Sequence, residues 1–304
     1  MNSTPSGEQH SISFENQQAV VVEVGGGLRL YQVGERPVIQ AYDRGSVCDG
    51  AHGAPLIPWP NRLADGRYSF GGEDHQLPID EVEKSNAIHG LLRWRNWEAE
   101  QSSEHQVVVS TRLHPMQGYP FSLEVSITYR LSRAGLEVET TARNFGDHPL
   151  PYGSGQHPYL SPGEGTIDSC HLELRAGRRF LTDARQLPVG SELVAGTEFD
   201  FFEPRPLGSL AIDSAFTDLA RDGEGRAWVH LGGNDGATAS LWVDEHYPIV
   251  ELYTGDTLAS DRRRRGLGAE PMTCPPNAFQ SGQHLLALAP GEAVTSRFGL
   301  SLSG

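Results

Sequence analysis

Two residues that lie far apart in the chain, His157 and Glu270, have side chains suited to exchanging protons with a substrate. His157 lies between Gly155 and Pro158 in a segment that predicts a turn, where an imidazole can face a ligand. An unperturbed imidazole titrates near pH 6.5, so it can donate a proton close to neutrality. Glu270 opens a segment rich in proline and small polar residues, which predicts a rigid loop. A carboxylate in such a loop can have a raised pKa and act as a general base.

Four other residues could hold a polar ligand. Asn61 and Arg62 follow Pro58-Trp59-Pro60, whose prolines stiffen the backbone that presents the guanidinium fork. His89 lies between apolar neighbours at a predicted strand end. Asp213 lies within an apolar stretch, and because an unpaired buried charge is costly, we expect it to be paired or to face a ligand. The plainer interpretations, a surface arginine in a turn and structural histidines, stay open on residue type alone.

The charge balance and the missing motifs exclude several classes of function. The chain has 24 Lys+Arg against 39 Asp+Glu, a net charge of −15, which argues against a nucleic-acid or anionic-membrane binder because both need a positive face. No stretch approaches the ~18 apolar residues of a membrane span. The sequence has no glycine motif for dinucleotides or phosphates, no nucleophile elbow and no His/Cys pair at zinc spacing. We therefore expect neither nucleic acid, membrane nor metal as a partner.

The cysteines and the N-terminal residues indicate the compartment. Cys48, Cys170 and Cys274 are far apart and odd in number, so they support neither a disulfide framework nor a zinc knuckle. The first residues are polar and lack the apolar segment of a secretory signal. We expect a soluble protein in a reducing, cytoplasmic environment.

Alternating apolar and polar residues predict the strands that must position these side chains. In residues 121–131 the odd positions are apolar and the even positions polar, and residues 136–142 repeat the pattern after a short turn. Shorter runs of the same kind occupy residues 19–24, 28–33, 106–113, 171–174, 227–231, 239–243 and 249–253. We predict a disordered lead-in over residues 1–10 and one all-β domain over residues 11–304. This domain is expected to be a large antiparallel β-sandwich with a concave face.

Taken in order, these motifs resemble those of the aldose 1-epimerase (galactose mutarotase) family, over about residues 20 to 300. The matching segments are Asn61-Arg62, His89-Gly90, His157-Pro158-Tyr159, Asp213, Val250-Glu251-Leu252-Tyr253-Thr254-Gly255, Glu270, Pro275-Pro276-Asn277-Ala278 and Leu288-Ala289-Pro290-Gly291-Glu292. Each motif alone is weak, but five in the right order and spacing form a specific pattern. Residues 270–278 resemble the bacterial branch of uncharacterised and sulfosugar-associated mutarotases more than the galactose enzymes.

The resemblance implies a galactose mutarotase-like β-supersandwich with a sugar site in its concave groove and a reaction that needs no cofactor. In that family the glutamate matching Glu270 removes the proton of the anomeric hydroxyl, and the histidine matching His157 protonates the ring oxygen. The positions that hold the sugar match Asn61, Arg62, His89 and Asp213. The implied function is an aldose 1-epimerase that interconverts the α and β anomers of a hexose-type monosaccharide, as a monomer or homodimer.

Departures from the family pattern leave the sugar open. This chain has Gln156-His157-Pro158-Tyr159-Leu160 where the galactose type has Asn-His-Thr-Tyr-Phe, and Arg262 to Arg265 stand just before Glu270. Such a basic loop could meet the phosphate or sulfonate of a 6-substituted sugar, or it could simply be solvated. The alternative function is a catalytically silent sugar-binding module or regulator on the same fold. A glycoside-processing enzyme is a third possibility, and it would need a second catalytic carboxylate, for which Asp213 is the candidate.

Overall fold

The computed structural model describes residues 4–161 and 163–304, and its regular secondary structure is almost entirely β-strand. In chain order, the 27 strands of these residues are β1 (Gln9–Phe14), β2 (Gln17–Val22), β3 (Leu28–Val33), β4 (Arg36–Pro37), β5 (Pro55–Leu56), β6 (Arg62–Ala64), β7 (Arg67–Phe70), β8 (Glu73–Gln76), β9 (Asn86–Ile88), β10 (Glu98–Ser103), β11 (Gln106–Leu113), β12 (Leu123–Ser132), β13 (Gly135–Asn144), β14 (Leu150–Tyr152), β15 (Gly155–Gln156), β16 (Tyr159–Leu160), β17 (His171–Leu174), β18 (Ala176–Thr182), β19 (Pro188–Leu193), β20 (Phe201–Pro206), β21 (Asp213–Leu219), β22 (Ala227–Gly232), β23 (Thr238–Val243), β24 (Ile249–Tyr253), β25 (Leu267–Met272), β26 (Leu286–Leu288) and β27 (Ala293–Ser303). Helical turns occur at α1 (Ala278–Ser281) and, as 3₁₀ turns, at Val82–Lys84 and Ile167–Ser169.

Two large antiparallel sheets organise these strands. The nine-stranded sheet has the order β10-β11-β12-β13-β27-β23-β22-β17-β20. The eight-stranded sheet has the order β19-β18-β21-β24-β25-β15-β5, and β16 also pairs with β25. The smaller sheets are β1-β2-β3-β4, β14-β26, β6-β9 and β7-β8. The prediction of an all-β antiparallel fold is confirmed.

The predicted alternation corresponds to real burial. β12 and β13 form a hairpin whose register runs from Leu123 opposite Asn144 to Ser132 opposite Gly135. Within β12 the odd-numbered residues are buried, and the even-numbered ones are more exposed. Four of the predicted shorter runs have the same bounds as β3, β11, β17 and β24. Period-two patterning therefore located these strands because one face of each is packed against the core.

The core lies between the inner faces of the two large sheets. Ile127 and Val229 from the nine-stranded sheet and Val250, Leu252 and Ala269 from the eight-stranded sheet belong to one buried cluster. Packing two apolar faces in this way makes a sandwich. Each fully buried Val, Leu or Ile side chain contributes about 1.5–3 kcal/mol relative to an exposed one.

The opposite face of the eight-stranded sheet carries charged residues. Glu251 of β24 lies opposite Glu270 of β25, and Asp213 of β21 lies opposite Tyr253 of β24. Because successive side chains of a strand point to opposite faces, these carboxyl groups alternate with the core residues of the same strands. One set of strands thus builds the core and presents polar groups on its other side.

Two sequence-based expectations need correction. The lead-in predicted for residues 1–10 is too long, since Gln9 and His10 already pair with Val22 and Val21 in the sheet; residues 1–3 lie outside the described residues. Glu270 lies within β25, a strand paired with β24 and β15, and not in the rigid loop that its prolines suggested. In the described residues, no helix has the length and apolar character needed to cross a bilayer.

Candidate active site

A cavity of about 560 Å³ opens beside the eight-stranded sheet and brings the predicted site residues together. Its lining includes all six of them: Asn61, Arg62, His89, His157, Asp213 and Glu270. They come from five separate parts of the chain: the start of β6, the end of β9, the turn between β15 and β16, the first residue of β21 and the middle of β25. Small-molecule sites generally have volumes of ~300–1,000 Å³, so the cavity suits a ligand of monosaccharide size.

His157 and Glu270 are in direct contact in this cavity. Nε2 of His157 lies 3.1 Å from Oε1 of Glu270, and their side chains are 6% and 3% exposed. The backbone fixes His157, since its N–H donates to the carbonyl of Ala54 and its carbonyl accepts from the N–H of Gly53. We refer to His157 and Glu270 below as the imidazole–carboxyl pair.

Burial sets the protonation of the imidazole–carboxyl pair. Loss of hydration lowers the pKa of His157 below its ordinary value of 6.5, and His52 adds to the shift. Burial, followed by the negative charge of Asp213, raises the pKa of Glu270 well above its ordinary 4.5, while Arg62 acts in the other direction. Both shifts favour a pair that shares one proton at neutral pH. Such a pair contains one acid and one base.

Aromatic rings hold the imidazole of His157 in place. The ring of Tyr159 stacks on it with centroids 4.9 Å apart, and the ring of His52 stacks on Tyr159 with centroids 3.9 Å apart. The Tyr159 hydroxyl donates to the carbonyl of Gly50 at 2.9 Å. His89 meets His157 edge-on at 5.3 Å. This packing fixes the plane of the ring and therefore the direction in which Nε2 points.

His89 is held in an unusual backbone conformation. It directly follows β9, has a φ of 63°, and donates its N–H to the carbonyl of Asn61 at 2.9 Å. Burial, and then the charge on His157, lowers the pKa of His89 well below its ordinary value, so its ring is neutral. Its Nδ1 is buried and has no hydrogen-bond partner within the described part of the chain. A buried polar atom without a partner is suited to a ligand.

Arg62 is oriented by a carboxylate that sequence reasoning missed. Its Nε lies 3.1 and 3.0 Å from the two carboxylate oxygens of Glu81, and its Nη1 lies 3.4 Å from Oδ1 of Asn61. Glu81 also lies 3.6 Å from Nζ of Lys84. These contacts hold the guanidinium in one orientation on the cavity surface.

Asp213 is also fixed by residues that the sequence did not indicate. Nε2 of Gln186 donates to Oδ2 of Asp213, and Nζ of Lys84 donates to Oε1 of Gln186. Lys84 and Gln186 both line the cavity. They are 102 positions apart and lie in no motif, so only the folded chain relates them.

The four consecutive arginines are not among the residues that line the cavity in the described structure. Arg262 pairs with Asp49, whereas Arg264 is buried and pairs with Asp168 and Asp256. Arg263 and Arg265 are exposed. The structure therefore gives two of these arginines structural partners, and leaves two in solvent.

Among residues 4–161 and 163–304, no group of three or more His, Cys, Asp or Glu side chains is arranged to hold a metal ion. The polar atoms that remain available are instead suited to hydroxyl groups. Oε2 of Glu270 is buried and, within the same residues, has no hydrogen-bond partner. The site thus offers a proton-sharing pair beside unpartnered hydrogen-bonding atoms.

Comparison with known proteins finds relatives that match nearly the whole chain. A family model described as aldose 1-epimerase matches residues 8–301. The uncharacterised protein YihR of Escherichia coli K12 is 34% identical over 288 residues, which cover 94% of this chain and 91% of YihR. The aldose 1-epimerase of the same organism is 26% identical over 272 residues, which cover 80% of this chain and 78% of that enzyme.

Solved structures share the fold across nearly the whole chain. A putative aldose 1-epimerase from Escherichia coli K12 superposes with a TM-score of 0.84 at 22% identity, covering 97% of this chain and 99% of the other. The galactose 1-epimerase of Lactobacillus acidophilus NCFM gives a TM-score of 0.81 at 20% identity, covering 97% and 98%. At these identities the likeness establishes the galactose mutarotase-like fold.

Proposed function

Because the chain belongs to the aldose 1-epimerase family and is therefore an isomerase, we propose that it interconverts the α and β anomers of a hexose-type aldose. The observation that carries the proposal is the 3.1 Å contact between Nε2 of His157 and Oε1 of Glu270 in a cavity of monosaccharide size. Opening a hemiacetal needs a base and an acid on the two sides of one carbon. A pair that shares a single proton supplies both.

The proposed reaction moves two protons and breaks one bond. When burial leaves the pair uncharged, its proton lies on Glu270; transfer to His157 gives the carboxylate and the imidazolium. Glu270 then takes the proton of the anomeric hydroxyl, the bond between C1 and the ring oxygen breaks, and His157 protonates that oxygen. The free aldehyde rotates about C1–C2 and closes on its other face with the roles reversed. Each turnover restores the enzyme, so no cofactor is consumed.

The remaining predicted residues would hold the sugar hydroxyls. Nδ1 of His89 and Oε2 of Glu270 are unpartnered in the described structure and can bind hydroxyls directly. The Arg62 guanidinium is fixed through Nε, which leaves its Nη groups as donors beside Asn61. Asp213 accepts from Gln186 at one oxygen and can accept a hydroxyl at the other.

The sugar itself stays open among glucose, galactose and 6-substituted sugars. The arginine loop does not favour an anionic sugar, because Arg262 and Arg264 already pair with carboxylates. A cytoplasmic location and a monomeric or homodimeric assembly remain predictions.

Anomer exchange measured on a panel of sugars tests the proposal. Polarimetry and NMR exchange spectroscopy would compare glucose, galactose, a 6-phosphate and a 6-sulfonate sugar with and without the protein. We expect at least one sugar to exchange faster than in buffer. Binding of a sugar without any faster exchange would overturn the proposal, and would instead support the sugar-binding module.

A further inference from the structure

Arg93 lines the cavity, but the proposed reaction gives it no role and none of the sequence motifs contains it. It lies four positions after His89, in the segment that leaves β9. Leu92 beside it is fully buried, and the N–H of Arg95 donates to the carbonyl of Leu92 at 3.2 Å. These contacts anchor the backbone next to Arg93 and therefore fix the point from which its side chain reaches the cavity.

Asp80 joins the guanidinium of Arg93 to β9. Nη2 of Arg93 donates to Oδ2 of Asp80 at 2.8 Å, and the N–H of Ile88 donates to Oδ1 of the same carboxylate at 2.8 Å. Asp80 and Ile88 also line the cavity. One carboxylate thus ties Arg93 to the last residue of β9, directly before His89.

Arg62 is held in a similar way by the next acid in the chain. Both carboxylate oxygens of Glu81 accept from Nε of Arg62, at 3.1 and 3.0 Å. The two arginines come from different segments, yet both line the cavity and each has a carboxylate partner from the Asp80-Glu81 dipeptide. The structure therefore supports Arg93 at the cavity in the way that it supports Arg62, which the proposed function assigns to the sugar.

Part of the Arg93 guanidinium remains unused. The ion pair with Asp80 engages Nη2, whereas Nε is buried and has no hydrogen-bond partner within residues 4–161 and 163–304. A guanidinium carries only donors, and a buried donor that stays unpaired costs free energy. A purely structural ion pair with Asp80 leaves that cost in place, whereas an acceptor oxygen supplied by a ligand would remove it.

We propose that Arg93 binds the substrate directly, by donating from its guanidinium to an oxygen of the sugar, and that Asp80 is the positioning residue that orients Arg93. The acceptor is a hydroxyl or the anionic oxygen of a 6-substituent, because a guanidinium donates to both. Together with Arg62, Arg93 gives the sugar two fixed groups of donors. The inference rests on the proposed function for the identity of the ligand as a sugar, but not for the reaction.

Arg93→Met removes the donors and keeps an unbranched side chain. Isothermal titration calorimetry would give Kd for glucose, galactose, a 6-phosphate and a 6-sulfonate sugar, and NMR exchange spectroscopy would give kcat and KM. We expect Kd and KM to rise about tenfold or more, because a hydrogen bond from a charged donor is lost. We expect kcat to stay within about threefold of the wild type, because the imidazole–carboxyl pair is unchanged.

Arg112→Met is the matched control. Arg112 also has a carboxylate partner, Glu124 at 2.7 Å, and its guanidinium lies 5.6 Å from the ring of Phe145, as that of Arg93 lies 5.4 Å from the ring of Trp94. It is not among the residues that line the cavity in the described structure. We therefore expect Arg112→Met to leave Kd, KM and kcat unchanged.

Asp80→Asn tests the positioning role. Asparagine can still accept from the N–H of Ile88 through its carbonyl oxygen, but it has no charge to pair with Arg93. We expect KM to rise about threefold to tenfold in the wild-type background and to rise no further when Asp80→Asn is added to Arg93→Met. A further rise in the double variant would show that Asp80 acts independently of Arg93. Circular dichroism and thermal unfolding would verify that every variant folds.

The sugar panel identifies the acceptor oxygen. If Arg93→Met weakens binding of the 6-phosphate or 6-sulfonate sugar much more than binding of the parent hexose, the anionic group lies at Arg93, whereas equal losses place a hydroxyl there. A folded Arg93→Met variant that keeps the wild-type Kd for every sugar that binds would overturn the inference. Binding without anomer exchange would overturn the proposed function alone, and the comparison of Kd values would still decide the role of Arg93.

Discussion

Replacing both members of the imidazole–carboxyl pair should lower kcat/KM by no more than replacing one of them. His157→Asn and Glu270→Gln each keep a polar side chain of similar size and remove one proton-exchanging group. The two groups are 3.1 Å apart and share one proton, so neither can exchange a proton with the sugar productively after its partner is lost. Their contributions to the rate are therefore expected to be strongly coupled.

The magnitudes follow from the usual contribution of a positioned acid or base. Each single variant should lose a factor of ~10²–10⁴ in kcat/KM, equivalent to about 2.7–5.4 kcal/mol of activation free energy. Two independent groups would multiply these losses to ~10⁴–10⁸. Groups that act as a unit should instead leave the double variant within about tenfold of the slower single variant.

NMR exchange spectroscopy at anomeric equilibrium provides the assay, with protein concentration raised until the single variants exceed the buffer rate. His230→Asn is the matched control, because His230 lies on β22 outside the cavity and contacts Oγ of Ser240 at 2.8 Å. We expect this control to retain full activity. Losses that multiply in the double variant, or single variants with unchanged rates, would refute the shared-proton reasoning.

Three further outcomes follow from the same structure. Gln186→Leu should raise KM about tenfold with a smaller effect on kcat, measured by the same exchange assay, because Asp213 loses the donor that orients it. Arg264→Ala should lower the free energy of unfolding, measured by urea titration, by about 2 kcal/mol, because it removes a buried guanidinium with two carboxylate partners. As the control, Arg263→Ala removes an exposed side chain and should change the same free energy by less than ~0.5 kcal/mol. The value of kcat/KM should stay constant as pH falls through 6.5. Burial lowers the pKa of the histidine of the imidazole–carboxyl pair, so the pair takes up a second proton only at lower pH. A loss of activity centred at pH 6.5 would contradict this.

The fold was predictable where one face of a strand is buried and the other is more polar. The alternation in β12 and β13 located a hairpin that the structure contains, with strand bounds that differ from the predicted ones by one or two residues. The pattern failed at Glu270, whose neighbouring prolines suggested a loop. β25 accepts Pro271 within a paired strand, where Pro271 lies opposite Val250. Local composition could not reveal this, because the partners on the other side of β25, β15 and β16, are supplied by a distant part of the chain.

The candidate site residues were predicted from the order and spacing of their motifs, because residue type alone left the plainer interpretations open. The six predicted side chains line one cavity, although their roles remain proposals. The residues that hold them were not predictable: Glu81, Lys84 and Gln186 are common surface types whose partners are defined only by folding. Glu251 left no signal either, since a carboxyl group between Val250 and Leu252 in an alternating strand is expected on the solvated face, whereas the folded chain leaves it 3% exposed.

The placement of the site on the reverse face of core strands has a functional consequence. Leu252 and Ala269 pack into the main core, while their strand neighbours Glu251 and Glu270 point to the cavity side of the same sheet. The hydrogen bonds between β24 and β25 therefore fix the two carboxyl groups relative to each other as rigidly as they fix the core. The sheet thus keeps Glu270 buried, and this burial, followed by the charge of Asp213, raises the pKa of Glu270 and lets the imidazole–carboxyl pair share one proton.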